Sequence, residues 1–323
     1  MRRLLDRCRA VGSGRGEPPD RGFILIVVIS AIGILALVAV SFAQITGSHV
    51  RAAASAVQSA GAETLADAGV QLAILDLVAN RQASGPQRRR FAPNGTALEC
   101  DAGNGNRLII SVQDEAGKVD LNVADERLIG ALLAGLGVQA SRAIADAILD
   151  FRDADGDRRP QGAERADYLA AGRLQGPKNA PLSVVDELEQ VLGLNAADVA
   201  GLRPYVTVYS GQTGIEQNSA SAALLGILSR GQARAGDFAT ATQEAEPDDS
   251  ARQLPAQFAG GAGGRFFTVR SEAHAGRAIF VREAVVELVR SRAAPFILHR
   301  WFRGSLARGE PPMGTDADLL PPC

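Results

Sequence analysis

The sequence predicts an α+β fold, with a long N-terminal helix packed on an antiparallel sheet and a large all-α domain inserted between strands. Three observations carry this. A charge-free apolar run at 23–43 passes without proline into a second stretch of helical period ending near residue 82. Strand-like segments stand on either side of the chain's middle, at 106–115 and again from 205 onward. Between them, from 121 to 204, the apolar residues switch to helical spacing broken by Gly and Pro.

The N-terminal helix follows from charge and length. Residues 1–22 hold six arginines against three acids, and FILIVVISAIGILALVAVSFA (23–43) then carries no charge. At a rise of about 1.5 Å per residue, those 21 residues match the roughly 30 Å hydrocarbon core of a bilayer. Positive charge clusters before the span and thins after it. That asymmetry keeps a short N-terminus cytoplasmic and sends the bulk of the chain to the far side of the membrane. An ordinary secretory signal has an apolar core of about 7–15 residues, shorter than this one. The small residues at Ala39, Ala43 and Gly47 keep that alternative, and a plain uncleaved anchor, open. Past the span, Leu65, Ala68, Leu72, Leu75 and Val78 recur at spacings of three and four, continuing the helix.

A Pro-, Gly- and Arg-rich loop comes next (82–94), then the strand NRLIISVQDE (106–115). Short helices are expected in 124–138, 140–153, 184–194 and 195–204. Strands resume as YVTVYS (205–210), at 264–275 and 276–290, and at 295–302. Residues 231–264 read as a polar, Gly-rich mobile loop, and 306–323 as a flexible tail. The expected organisation is thus a leader (1–22), a spine helix (23–82), an α+β domain built from 83–120 and 205–305, and a helical insertion (121–204). An internal echo also appears. Val119, Asn122, Ala124, Leu128 and Leu132 are matched 96 positions later by Ile215, Asn218, Ala220, Leu224 and Leu228. An Ala- and Leu-rich chain can produce such an echo by chance.

Composition excludes several function classes. A net charge of -2 argues against a general polyanion binder, and 46% hydrophobic residues argue against disorder. Three scattered histidines (His49, His274, His299) and no nucleophile elbow, zinc helix or phosphate loop leave no enzyme signature. One run suggests a metal. Asp153, Asp155, Asp157 and Glu164 occupy positions 1, 3, 5 and 12 of a twelve-residue loop, the oxygen-ligand spacing of a Ca²⁺ loop, with Asp150 and Asp167 close enough to contribute. Arg158 stands where such a loop needs Gly, and the alternative is a solvated acidic loop neutralised by nearby arginines. Cys100 and Cys323 would lie in an oxidising compartment and would bridge if they meet; otherwise they are two free thiols.

The Gly22–Phe23 junction, with a basic leader directly before an apolar helix, resembles a type IV prepilin cleavage site. The resemblance implies that a membrane peptidase cuts after Gly22 and methylates Phe23. Most such chains carry a Glu five residues past the cut, where this one has Val27. Farther on, DEAGKVDLNVADERLIGALL (114–133), AILDFRDADGDRRPQGAERADY (147–168), PKNAPLSVVDELEQVLGL (177–194) and LRPYVTVYSG (202–211) resemble the general secretion pathway protein K family. These are minor pseudopilins of the type II secretion system. The resemblance covers 23 to about 228 and accounts for Val27, because that family lacks the Glu. It implies a pilin-like domain interrupted by an all-α domain and a place at the tip of the periplasmic pseudopilus. Its implied partners are the I- and J-type minor pseudopilins, the major pseudopilin and the prepilin peptidase, with the inner membrane as anchor. It also implies Ca²⁺ in the helical domain. The alternative is a membrane-tethered DNA-binding protein, because 185–206 resembles a helix-hairpin-helix. Residues 183–203 nevertheless hold four acids and only Arg203 as a cation, so no nucleic acid is expected.

Overall fold

The computed structural model describes residues 20–82, 89–236, 254–291, 293–305 and 321–323. Of the expected leader, 1–19 lie outside the described residues. The chain divides into two compact units, 1–57 and 58–323. One continuous helix, α1 (Asp20–Gln82), begins in the first and ends in the second. In the first unit, the window Leu25–Gln44 has a mean hydropathy of 2.9 and none of it is buried. An outward-facing surface of that apolarity, on a helix of that length, suits lipid rather than water. Gly22 and Phe23 fall in the first turn of α1.

The second unit has two cores. The first lies under a five-stranded antiparallel sheet formed by β1 (Asn94–Gly103), β2 (Asn106–Asp114), β5 (Phe266–Ala275), β6 (Ala278–Leu288) and β7 (Phe296–Arg303), ordered β1-β2-β5-β6-β7. β5 alternates half-buried and buried side chains along its whole length, the period-two signature of a sheet with one face covered. The cover is the end of α1, whose Ala66, Val70, Ala73, Ile74 and Leu77 are buried against Ile110, Val112, Val269, Ala284 and Val286. Helix and sheet meet so closely at Gly69 that a Cβ there would lie 2.2 Å from Ser271 Oγ. An ion-pair clamp fixes the contact. Arg282 on β6 donates to Asp67 Oδ1 (2.5 Å) and Glu63 Oε1 (2.7 Å) of α1, and its guanidinium also lies over the Phe280 and Trp301 rings.

The second core is helical and runs from Val119 to Phe258. It contains β3 (Val119–Asp120) paired in parallel with β4 (Val206–Thr207), α2 (Glu126–Leu136), α3 (Ser141–Arg152), α4 (Arg165–Ala170), α5 (Ala196–Leu202) and α6 (Ala222–Gly236). The echo is structural. Asp125 Oδ1 caps α2 at Leu128 N, and Ser221 Oγ caps α6 at Leu224 N, 96 positions on. Val119 bridges in parallel to Val206, and its counterpart Ile215 to Ala259. The two helices cross through matched glycines. A Cβ on Gly135 would lie 2.0 Å from Ile227 O, and one on Gly231 would lie 1.8 Å from Ala131 O.

Three expected boundaries are corrected. YVTVYS does not rejoin the main sheet: only Val206–Thr207 pair, in a separate two-stranded sheet, because Asp120 Oδ2 accepts from Ser210 Oγ and Gly211 N and turns the chain away. The helical lobe therefore extends past 204. Leu224, Ile227, Leu228, Leu254 and Phe258 all bury in it, so α6 and 254–258 are packed structure where an α+β strand region and a mobile loop were expected. The tail's last three residues are also held in place, against β1. Of the remainder, 237–253 and 306–320 lie outside the described residues.

The lobes join at the end of β2. Asp114, buried, accepts from Ala116 N through Oδ1 and from Gly264 N through Oδ2 (2.6 Å), while Glu216 N donates to Ala116 O and Gln113 Nε2 to Ser219 O. Burial, with the neighbouring Glu115 and Glu216 charges, pushes the Asp114 carboxyl up to about 6 despite those two backbone donors.

Two predictions follow from this packing. Gly231→Ala should destabilise the helical lobe by roughly 2–4 kcal/mol in urea unfolding, since the new methyl meets backbone. Gly130→Ala, where nothing lies within 4 Å, should be neutral or stabilise by up to about 1 kcal/mol. For Asp114, the folded group holds its proton to higher pH than the unfolded one. Its contribution is therefore present at low pH and lost as pH rises from about 4 to about 6–7. The stability difference between wild type and Asp114→Asn should shrink by about 3 kcal/mol over that window.

Candidate metal site

α3 delivers Asp146 and Asp150 to the lobe interior on one face, four residues apart. The chain then leaves the helix at Asp153, loops to Glu164, and enters α4 with Glu164 as its N-cap. The loop folds over the carboxylates of α3. Arg159 N donates to Asp150 (3.3–3.4 Å) and Gln161 N to Asp146 Oδ2 (3.0 Å). Gly162 packs directly on Asp150, where a Cβ would lie 2.0 Å from Oδ2. The Arg159 side chain spans Asp150 (3.3 Å) and Asp153 (3.6 Å).

Three oxygen atoms in this region are buried without a hydrogen-bond partner: Asp153 Oδ1, Glu164 Oε1 and Asn179 Oδ1. Asn179 sits at φ 49 and is tied to the loop on both sides, its N donating to Phe151 O and its Nδ2 to Asp155 O (2.5 Å). Burial raises the carboxyls of Asp150, Asp153 and Glu164 above the usual range. Mutual repulsion adds to the shift, from Asp153 on Asp150, from Asp155 on Asp153, and from Asp150, Asp153 and Asp155 on Glu164. A set of desolvated, mutually repelling hard oxygens is the donor chemistry that a Ca²⁺ ion satisfies. Among the described residues, no three His, Cys, Asp or Glu side chains form a complete ligand set by themselves. The amide oxygen of Asn179 falls outside that residue set and, like Asp153 Oδ1 and Glu164 Oε1, is buried without a partner.

The five residues expected as ligands thus divide. Asp153 and Glu164 aim free oxygens inward. Asp155 is exposed and accepts from Asp157 N at 2.9 Å, and Asp157 itself is exposed. Asp167 is committed to the α4 cap, accepting from Glu164 N (3.0 Å) and pairing with Arg158 (3.3 Å). Asn179 carried no sequence signal, since it lies beyond the twelve-residue spacing and is brought in by the turn after α4.

Elsewhere, Cys100 and Cys323 are joined in a disulfide. His274 and His299 pair with Glu272 (2.9 Å) and Glu287 (2.8 Å), in strands. In the hairpin-like segment, 185–190 forms a 3₁₀ turn rather than an α-helix, and Arg203 is paired with Asp186 at 2.6 Å.

Residues 104–211 match the family model described as type II secretion system (T2SS), protein K. Among solved structures, the chain is similar to a chain in the crystal structure of the GspK-GspI-GspJ complex from the enterotoxigenic Escherichia coli type 2 secretion system. Identity there is 19% and the TM-score 0.49, over 81% of this chain and 99% of that one. No curated protein matches the chain significantly. The matched segment begins in the turn before β2 and continues through β3, α2–α5, the carboxylate loop and β4, and over these residues the chain is similar to the type II secretion system protein K family.

Proposed function

We propose that this protein is a minor pseudopilin at the tip of the periplasmic pseudopilus, where it supports protein export across the outer membrane. The protein K match over 104–211 carries the reading. The apolar window Leu25–Gln44 supports a single inner-membrane span, with the arginine-rich N-terminus cytoplasmic and the bulk periplasmic. Cleavage between Gly22 and Phe23, with methylation of Phe23, belongs to the same proposal, as do the I- and J-type minor pseudopilins, the major pseudopilin and the prepilin peptidase as partners. A tip subunit has no subunit ahead of it, so a carboxylate at the Val27 position, costly in lipid without a partner, has no amine to meet there.

Co-expression of the full chain with the prepilin peptidase and I- and J-type pseudopilins of the same cell, followed by detergent extraction and affinity purification, tests this. The expected result is co-purification of both, with a mature chain whose mass starts at N-methylated Phe23. A chain starting near Ala43 or Gln44, or one that retains neither pseudopilin, overturns it.

We further propose that the 153–164 loop holds Ca²⁺ through Asp153, Glu164 and Asn179, with Asp150 and Asp155 adding negative charge. A bound divalent ion would relieve the carboxylate repulsion and couple its binding energy to the folding of the helical lobe. An ion present at about 100 times its Kd adds about 2.7 kcal/mol. Wild type should therefore melt several degrees higher in excess calcium than in chelator at matched ionic strength. Asp153→Asn and Glu164→Gln should abolish that difference, and Asp157→Asn should keep most of it. Equal melting temperatures in calcium and chelator for wild type would rule the ion out.

A further inference from the structure

The two edges of the sheet are treated differently. β7 ends it on one side and β1 on the other. A free edge strand presents unpaired N–H and C=O groups, a template for any extended segment. At β1 that template is filled by the end of the chain. Asp101 N donates to Pro321 O (2.9 Å), Cys323 N donates to Asp101 O (3.0 Å), and Pro322 bridges Asp101 in parallel register. Arg90 Nη2 donates to Pro322 O at 2.7 Å, and the adjacent Cys100, fully buried, is disulfide-bonded to Cys323. Pro321 and Pro322 have no N–H, so this short bridged segment offers almost nothing to a further strand and ends the sheet.

We propose that the outer edge of β1 around Asp101 is an acceptor site for a C-terminal Pro-Pro-Cys segment, filled in cis by the chain's own end and able to take the same segment from a second copy. The site already matches that sequence in each element: a donor and an acceptor on Asp101, a cation on the Pro322 carbonyl, and a cysteine opposite Cys323. Fifteen residues, 306–320, separate the last described residue after β7 from Pro321. At about 3.3–3.6 Å per residue, a linker of that length can span some 50 Å, enough to reach a neighbouring molecule. The disulfide makes the cis arrangement the resident one. Three residues with two backbone hydrogen bonds hold weakly by themselves, and the covalent tie keeps their local concentration high.

The test uses the full chain in detergent with Cys8→Ser, which removes the third thiol. Amide exchange at Asp101 should be slow in this protein and about tenfold faster or more after Cys323→Ser. Should that variant misfold, the same comparison is made on Cys8→Ser protein reduced with dithiothreitol. There the dithiol is oxidised to its cyclic disulfide as the protein disulfide becomes two thiols. Cys8→Ser/Cys323→Ser protein is then treated with the peptide Asp-Ala-Asp-Leu-Leu-Pro-Pro-Cys as its glutathione mixed disulfide. The Cys100 thiolate attacks the peptide sulfur, and glutathione leaves as the thiol. The adduct should form about tenfold faster than with oxidised glutathione and should restore slow exchange at Asp101. Reoxidising a mixture of isotope-labelled and unlabelled reduced protein should give Cys100–Cys323 pairs that join one label to the other. The proposal is overturned if Asp101 stays protected once the disulfide is gone. It is equally overturned if the peptide reacts no faster than glutathione, if its adduct leaves Asp101 exchanging fast, or if only same-label pairs form.

Discussion

The crossing of α2 and α6 is the contact on which the helical lobe depends. Each helix presents a glycine where the other presents a backbone carbonyl, Gly135 to Ile227 and Gly231 to Ala131. Close backbone approach lets Leu128, Leu132, Leu224 and Leu228 bury on both sides of the crossing in one core. The matching caps at Asp125 and Ser221 start both helices in the same register relative to that crossing. The loop that carries the carboxylates hangs from this core through α3, whose Ile144, Ile148 and Phe151 are buried in it. The position of Asp150 and Asp153 is therefore a consequence of how two glycine-bearing helices meet.

Charge is placed where it is costly and then counterbalanced. Arg282 lies over the Phe280 and Trp301 rings and holds two carboxylates of α1, so the last part of that helix is clamped to the sheet by more than Ala and Val contacts. Asp114 and Asp150 are buried carboxylates that take backbone N–H donors but little cationic charge, and both are raised in pKa as a result. At Asp114 the gain is a hinge point fixed to both lobes. Around Asp150 the arginine that approaches, Arg159, is itself partly exposed, and oxygens of Asp153, Glu164 and Asn179 in the same region are buried without a partner.

A helical lobe with its own core is tied to the sheet by a few hydrogen bonds at the end of β2. The sheet in turn is closed on its β1 side by the chain's own terminus. The family match covers β2 and the lobe as far as β4, and ends before α6.

The elements with local causes were legible in the sequence. The apolar window and the long α1 follow from an uninterrupted charge-free run and a helical period, which act over adjacent residues. β2, β5, β6 and β7 follow from apolar segments bounded by turn residues, and the likeness to the protein K family was visible in long ordered blocks across 114–211. The 96-residue echo was also visible, but periodicity alone left it indistinguishable from chance until paired caps and a reciprocal glycine contact appeared. Tertiary structure decided the rest, because the deciding partners are far apart in the chain. YVTVYS reads as a sheet strand, yet Asp120 captures the residues after it. Residues 254–258 read as loop, yet Leu254 and Phe258 find a core assembled from helices that begin with α2, more than a hundred positions earlier. Twelve-residue spacing named Asp153, Asp155, Asp157 and Glu164, with Asp167 close by, but only folding tied Asn179 to Phe151 and Asp155 and turned Asp167 to a helix cap. Cys100 and Cys323 are 223 positions apart. Nothing local could bring them together, and the sheet edge does.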